Sequence, residues 1–147
     1  MQIDLDTATI KMAFVTLQVG GTPTISKTTP GPTWGAGGTT NLATNEVTPC
    51  GGFTAGGVAL TSGTWINTAG TCAFDSALAS WTSSASGDPA TIKTAVVYSD
   101  TATNKDCIGF IDMTADGTTA ISLLTGDVSV TPNATGWFTV TNPQLGY

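Results

Sequence analysis

A chain of 147 residues with 40% hydrophobic and only 10% charged residues can bury roughly two thirds of its unfolded surface, and its composition is not that of a disordered segment. Nine Asp, one Glu, four scattered Lys and no Arg or His give a net charge of −6, which leaves no basic patch to neutralise nucleic-acid phosphates. No apolar run approaches the length of about eighteen residues that spans a bilayer, and MQIDLDTATIKMAFV lacks the basic start of a secretory signal. The first predicted strand is TIKMAFVTLQV, residues 9–19. Ile10, Met12 and Phe14 share one face and Ala13, Val15 and Leu17 the other, so the strand reads as central. Residues 20–45 form a long Thr/Pro/Gly arm, irregular apart from one helical turn around TNLATNEV, and a stretch of this length is commonly functional or interface-forming. GVALT and TWINTA follow, joined by a tight turn at Ser62-Gly63, and then CAFDS. TIKTAVVYS (91–99) and CIGFIDM (107–113) are the strongest pair, with the hairpin-sized connection DTATNKD between them. GDVSVTP and GWFTVTN close the chain around the turn PNATG.

Helix signals are nearly absent, and turn signals recur at short intervals between runs rich in Val, Ile and Thr. The expected fold is therefore all-β: one domain over 1–147, a compact antiparallel β-sandwich of about seven to nine strands, with a long irregular arm near residues 20–45. A surface made of Thr, Ser, Asn and Gly with few charges resists self-association poorly, which hints that other proteins cover part of it.

The chemistry available to such a chain is narrow. Without His, the usual general base, the Ser–His and Cys–His nucleophile pairs and most zinc sites are missing. Without Arg there is no bidentate clamp for phosphate or carboxylate. Glu46 is the only Glu, and the aspartates fall mostly in turns, where side-chain to backbone hydrogen bonds explain them. No enzyme activity, cofactor or metal is expected. The hairpin tip at 100–106 offers Asp100, Asn104 and Asp106 as oxygen ligands, but its spacing does not fit a calcium loop, and it reads as a solvated tip. GGFTAGG (51–57) lacks the Lys and the following helix of a phosphate cradle. Its glycines serve a strand corner, with Phe53 tucked beneath. Cys50, Cys72 and Cys107 make an odd count; Cys50 and Cys72 flank a hairpin and could pair if oxidised, though a reducing compartment favours free thiols. Trp65, Trp81 and Trp137 read as core. Trp34, in the arm, is the candidate exposed anchor at an interface, joined by Ile3 and Leu5 near the start.

Four pieces in order carry a resemblance: IDLDTATIKMAFVT, ATNEVTPCGGFTAGGVAL, SWTSSASGDPATIKTAVVYSDTATNKDCIGFIDM and GDVSVTPNATGWFTVT. Together they resemble a family of small bacteriophage virion proteins encoded among head and neck genes. Lys93 and Thr94 stand before AVVY where family members often carry Arg, and Phe53 stands where they often carry Tyr. The resemblance implies a capsid decoration or cement protein, made in the host bacterial cytoplasm and placed on the outer surface of the virion. Its partners would be the major capsid protein and itself, as a homotrimer, with no direct contact to nucleic acid or membrane. A neck, tail or head-fibre component is the alternative. A host-carbohydrate-binding module, with Trp34 as its stacking platform, is another. The family supplies no catalytic residues.

Overall fold

The computed structural model describes residues 7–19, 24–26, 28–48, 52–68, 71–83, 91–122 and 126–141. Thirteen strands lie within them: β1 (Ile10–Val15), β2 (Gln18–Val19), β3 (Thr24–Ile25), β4 (Pro32–Thr33), β5 (Thr40–Asn41), β6 (Val58–Ala59), β7 (Thr64–Thr68), β8 (Thr71–Asp75), β9 (Ala79–Trp81), β10 (Thr94–Ser99), β11 (Cys107–Asp112), β12 (Val128–Val130) and β13 (Phe138–Thr141). Five of these are only two residues long. The helical element among the described residues is a single 3-10 turn, Leu42–Asn45, capped by the Asn41 side chain accepting from the Ala43 N–H. It lies where TNLATNEV predicts a turn. Among the described residues no helix is long and apolar enough to cross a membrane. The all-β, sandwich-like reading of the sequence therefore holds.

The central antiparallel sheet has the order β11-β10-β1-β6. β1 pairs with β10 over its full length, from Ile10 opposite Ser99 to Val15 opposite Thr94. Side chains alternate between faces along a strand, and both strands are apolar at successive positions, so the sheet has a core on each side. Met12 and Phe14 of β1, with Ala95 and Val97 of β10, enter a first core with Phe53, Phe74, Trp81 and Ile92. Ala13 and Val15, with Val96 and Tyr98, enter a second core with Ile25, Trp34 and Leu42. Every residue of β10 is buried, as the continuous apolar run of a two-sided strand requires. The central position expected for the first strand is observed, although it breaks after Val15. The predicted 91–99/107–113 hairpin is also observed, with a bulge near Tyr98 and Cys107.

Two smaller antiparallel sheets, β13-β8-β7 and β12-β9, cover the first core. An aromatic ladder of Trp65, Phe74 and Phe138, in register across three strands, packs inward with ring centroids 5.4–5.8 Å apart. Phe14 lies 4.0 Å from Trp81 in the same core. Close aromatic pairs of this kind add about 0.5–1.5 kcal/mol beyond area burial.

The arm departs from expectation. Rather than a free irregular segment, its described part is a cover for the second core: Ile25 and Leu42 are fully buried, and short parallel ladders join β2 to β3 and β4 to β5. The cause is the apolar second face of β1 and β10, which would otherwise meet water. GVALT and TWINTA also differ from a hairpin. β6 pairs with β1 and β7 with β8, so the turn at Ser62, with φ +56°, moves the chain from one sheet to the other. The described glycines of GGFTAGG act as expected: Gly57 adopts φ +69°, a Cβ there would collide with the Met12 carbonyl, and Phe53 is buried.

Candidate functional site

The sheet β13-β8-β7 is longer than the core it covers. Its Trp65–Phe74–Phe138 row is packed, but the next row on that side, Asn67–Cys72–Val140, lies beyond the cluster, and Val140 is 60% exposed. On the outer side, Ile66, Ala73 and Thr139 stand side by side in register, and Ile66 is 53% exposed. Thr68, Thr71, Ala134 and Thr135 complete a shallow depression of about 240 Å³, and Asp75 is the one carboxylate lining it. The end of this sheet is therefore a nearly uncharged β-surface presenting aliphatic side chains to solvent. Sequence reasoning missed it because TWINTA reads as an ordinary half-buried strand. The signal lay in the register, which gives Ile66 only outward neighbours.

A second feature lies at the edge of the central sheet. β11 is its terminal strand, and a groove of about 480 Å³ runs between Cys107, Ile108, Gly109 and Phe110 on one side and Ser26, Thr29 and Pro32 of the arm on the other. Burial pushes the Cys107 thiol up to about 12, with Asp106 adding to the effect, so it is a poor nucleophile at neutral pH.

The candidate residues from sequence fare differently. Ile3 and Leu5 lie outside the described residues, as does Cys50, and so does any pairing of Cys50 with Cys72. Trp34 is not an exposed anchor. It is 6% exposed and stacks on Tyr98 with ring centroids 5.0 Å apart and planes 12° from parallel. The Tyr98 hydroxyl donates to the Gly56 carbonyl at 2.8 Å, and the Gly56 N–H donates to Glu46 Oε1 at 2.6 Å. These contacts latch the arm to the corner at 52–57. Burial raises the Glu46 carboxyl above its usual range, partly offset by the Gly56 N–H. With Trp34 enclosed, a stacking platform for sugars at this position has no exposed face.

The hairpin tip is a structured turn. Asp100 sits between Lys11 Nζ at 2.9 Å and Lys105 Nζ at 2.8 Å, its N–H donates to the Thr9 carbonyl, and Lys105 takes φ +51°. The two ammonium groups hold the Asp100 carboxyl below its usual range and occupy the carboxylate that a calcium ion would need. Among the described residues no three His, Cys, Asp or Glu are grouped to hold a metal ion. Replacing Asp100 with Asn is expected to cost about 1 kcal/mol or less, as partly exposed ion pairs do. Because the folded carboxyl titrates below its unfolded value of 3.8, this contribution is complete above that pH and disappears as pH falls through the folded value. Urea titrations of both proteins at neutral pH and at acid pH should show the difference at the first and none at the second.

No family model matches the chain, and comparisons with curated proteins and with solved structures returned no match.

Proposed function

We propose that this protein is a structural component of a bacteriophage virion, a decoration or cement protein that binds the outer head and bridges neighbouring major capsid subunits. The observation that carries this reading is the outer face of β13-β8-β7, where exposed Ile66 stands beside Ala73 in a shallow depression whose one lining carboxylate is Asp75, on a chain with few ionisable groups. A weakly charged, partly apolar face of this kind suits burial against another protein. The two-core scaffold supports the same reading, since a central sheet packed on both sides transmits load without deforming. The mechanism is burial of surface across subunit boundaries. A contact of about 1,000 Å² or more, repeated over a shell, resists expansion from within. The surplus of negative charge favours a basic patch on the partner during encounter.

The test is co-sedimentation of the purified protein with empty capsid shells. Saturable binding is expected, with Ile66→Asp reducing affinity by about tenfold or more while its circular dichroism and unfolding midpoint stay close to those of the parent. Failure of the parent protein to bind shells overturns the reading.

A further inference from the structure

The edge of β7 is unguarded. Soluble β-proteins protect their sheet edges with charges, prolines, bulges or very short strands, and the other edges here use such devices. β6 is two residues long, and β9 and β12 are three. β11 carries a bulge, and Thr33 of the arm bridges to Asp106 at its start. β13 is followed in sequence by Pro143, two residues on. β7 has none of these. Its five residues, Thr-Trp-Ile-Asn-Thr, pair with β8 in unbroken register, from Thr64 opposite Asp75 to Thr68 opposite Thr71. The chain carries no charged side chain from residue 47 to residue 74. All of β7 except Trp65 is exposed, and among the described residues no main-chain hydrogen bond reaches it from any element but β8. Alternate residues of an antiparallel strand turn N–H and C=O away from the neighbour they pair with, so β7 offers free donors and acceptors to solvent.

We propose that this edge pairs with the same edge of a second copy, β7 against β7, antiparallel about a two-fold axis at Ile66. The strand itself names the occupant. A two-fold interface must be self-complementary, and TWINT is nearly symmetric about its centre. With Ile66 opposite Ile66 of the second copy, Thr64 meets Thr68 and Trp65 meets Asn67. Thr64, Ile66 and Thr68 share the outer face, which therefore gains one Ile–Ile and two Thr–Thr pairs, each stabilising by about 0.2–1 kcal/mol. No pair sets like charges opposite each other, although each copy carries a net charge of −6. The carboxylate on this face, Asp75, belongs to β8, so nothing on the edge selects a basic partner instead. The row Ile66–Ala73–Thr139 continues into the same row of the second copy, and the two sheets become one in the order β13-β8-β7-β7-β8-β13. Ile66, 53% exposed in the single chain, gains the neighbour it lacks. A two-fold contact makes a dimer in solution and, on a shell, would join copies at neighbouring three-fold positions. Two five-residue strands form a contact at the small end of interface sizes, so dissociation is expected at micromolar concentration.

The experiment is sedimentation equilibrium of the full chain at about 100 μM, above that dissociation constant. The parent should sediment at twice 14.8 kDa. Ile66→Lys and Ile66→Asp each set like charges on the axis. Each should sediment as a monomer and keep the parent's circular dichroism, because the side chain faces solvent. An equimolar mixture of the two sets Lys opposite Asp and should recover the dimer, with an affinity about tenfold or more above that of either variant alone. A monomeric or trimeric parent overturns the proposal, as does a variant that stays dimeric. A mixture that stays monomeric also overturns it, since an axis elsewhere would not bring residue 66 of both copies together. The inference does not rest on the virion role: monomeric parent protein that still binds capsid shells would remove the strand pairing and leave the proposed function standing.

Discussion

Trp34→Ala is expected to destabilise the protein by about 3–5 kcal/mol, the cost of emptying a large aromatic site in a packed core. Trp34 is the largest side chain that the arm contributes to the second core. Its ring covers Tyr98, and its backbone N–H donates to the Lys105 carbonyl at 2.8 Å, so the main chain is fixed where the side chain enters the core. Truncation leaves Tyr98 without its stacking partner and opens the face formed by Ala13, Val15 and Val96 to water. Domains of this kind are stable by only about 5–15 kcal/mol, so the loss should appear as a large drop in urea midpoint with near-UV circular dichroism weakened before unfolding. A change below about 1 kcal/mol would mean that Trp34 is not enclosed and that the arm is free of the sheet.

Gly57→Ala is expected to cost about 4 kcal/mol or more, an effect reserved for substitutions that break a specific device. Two penalties combine. The residue adopts φ +69°, where an L side chain costs about 1–2 kcal/mol. The added methyl would also meet the Met12 carbonyl and the Ala13 Cα, backbone atoms of the central strand that cannot rotate away. Gly117→Ala isolates the first penalty, because Gly117 has φ +77° with open space around a Cβ; its expected cost is about 1 kcal/mol. Parallel denaturation curves check both. Equal effects at the two positions would show that β1 does not pass against the 52–57 corner as described.

The parts of the fold legible in sequence are those set by local pattern. Successive apolar residues in 10–17 announced a two-faced central strand, and the polar DTATNKD between the β-rich runs 91–99 and 107–113 announced their hairpin. The parts that were not legible depend on which element covers which face. Two-sided strands demand two covers, and Ile25, Trp34 and Leu42 are the large apolar residues of the arm. Matching them to the second face of β1 and β10 was possible in principle, but the Gly and Pro around Trp34 drew attention to loop character instead. The turn at Ser62-Gly63 serves a hairpin and a change of sheet equally well, and only the pairing of Val58 and Ala59 with β1 distinguishes them. β9 has three residues and pairs with β12, far along the chain, so nothing local marks it. The candidate surfaces escaped for a related reason. Exposure of Ile66 and Val140, and the open edge of β7, follow from where neighbouring strands stop, which no periodicity records.

The account rests on the view that this chain works by presenting rigid β-surfaces to other proteins of a virus particle, and copy number tests that most directly. Whole purified particles, analysed by quantitative mass spectrometry, give the ratio of this chain to the major capsid subunit. A ratio corresponding to on the order of hundreds of copies per particle, as repeated three-fold positions on a shell require, is the expected result. Absence from the particle, or a copy number that fits a single ring at the neck, would contradict it.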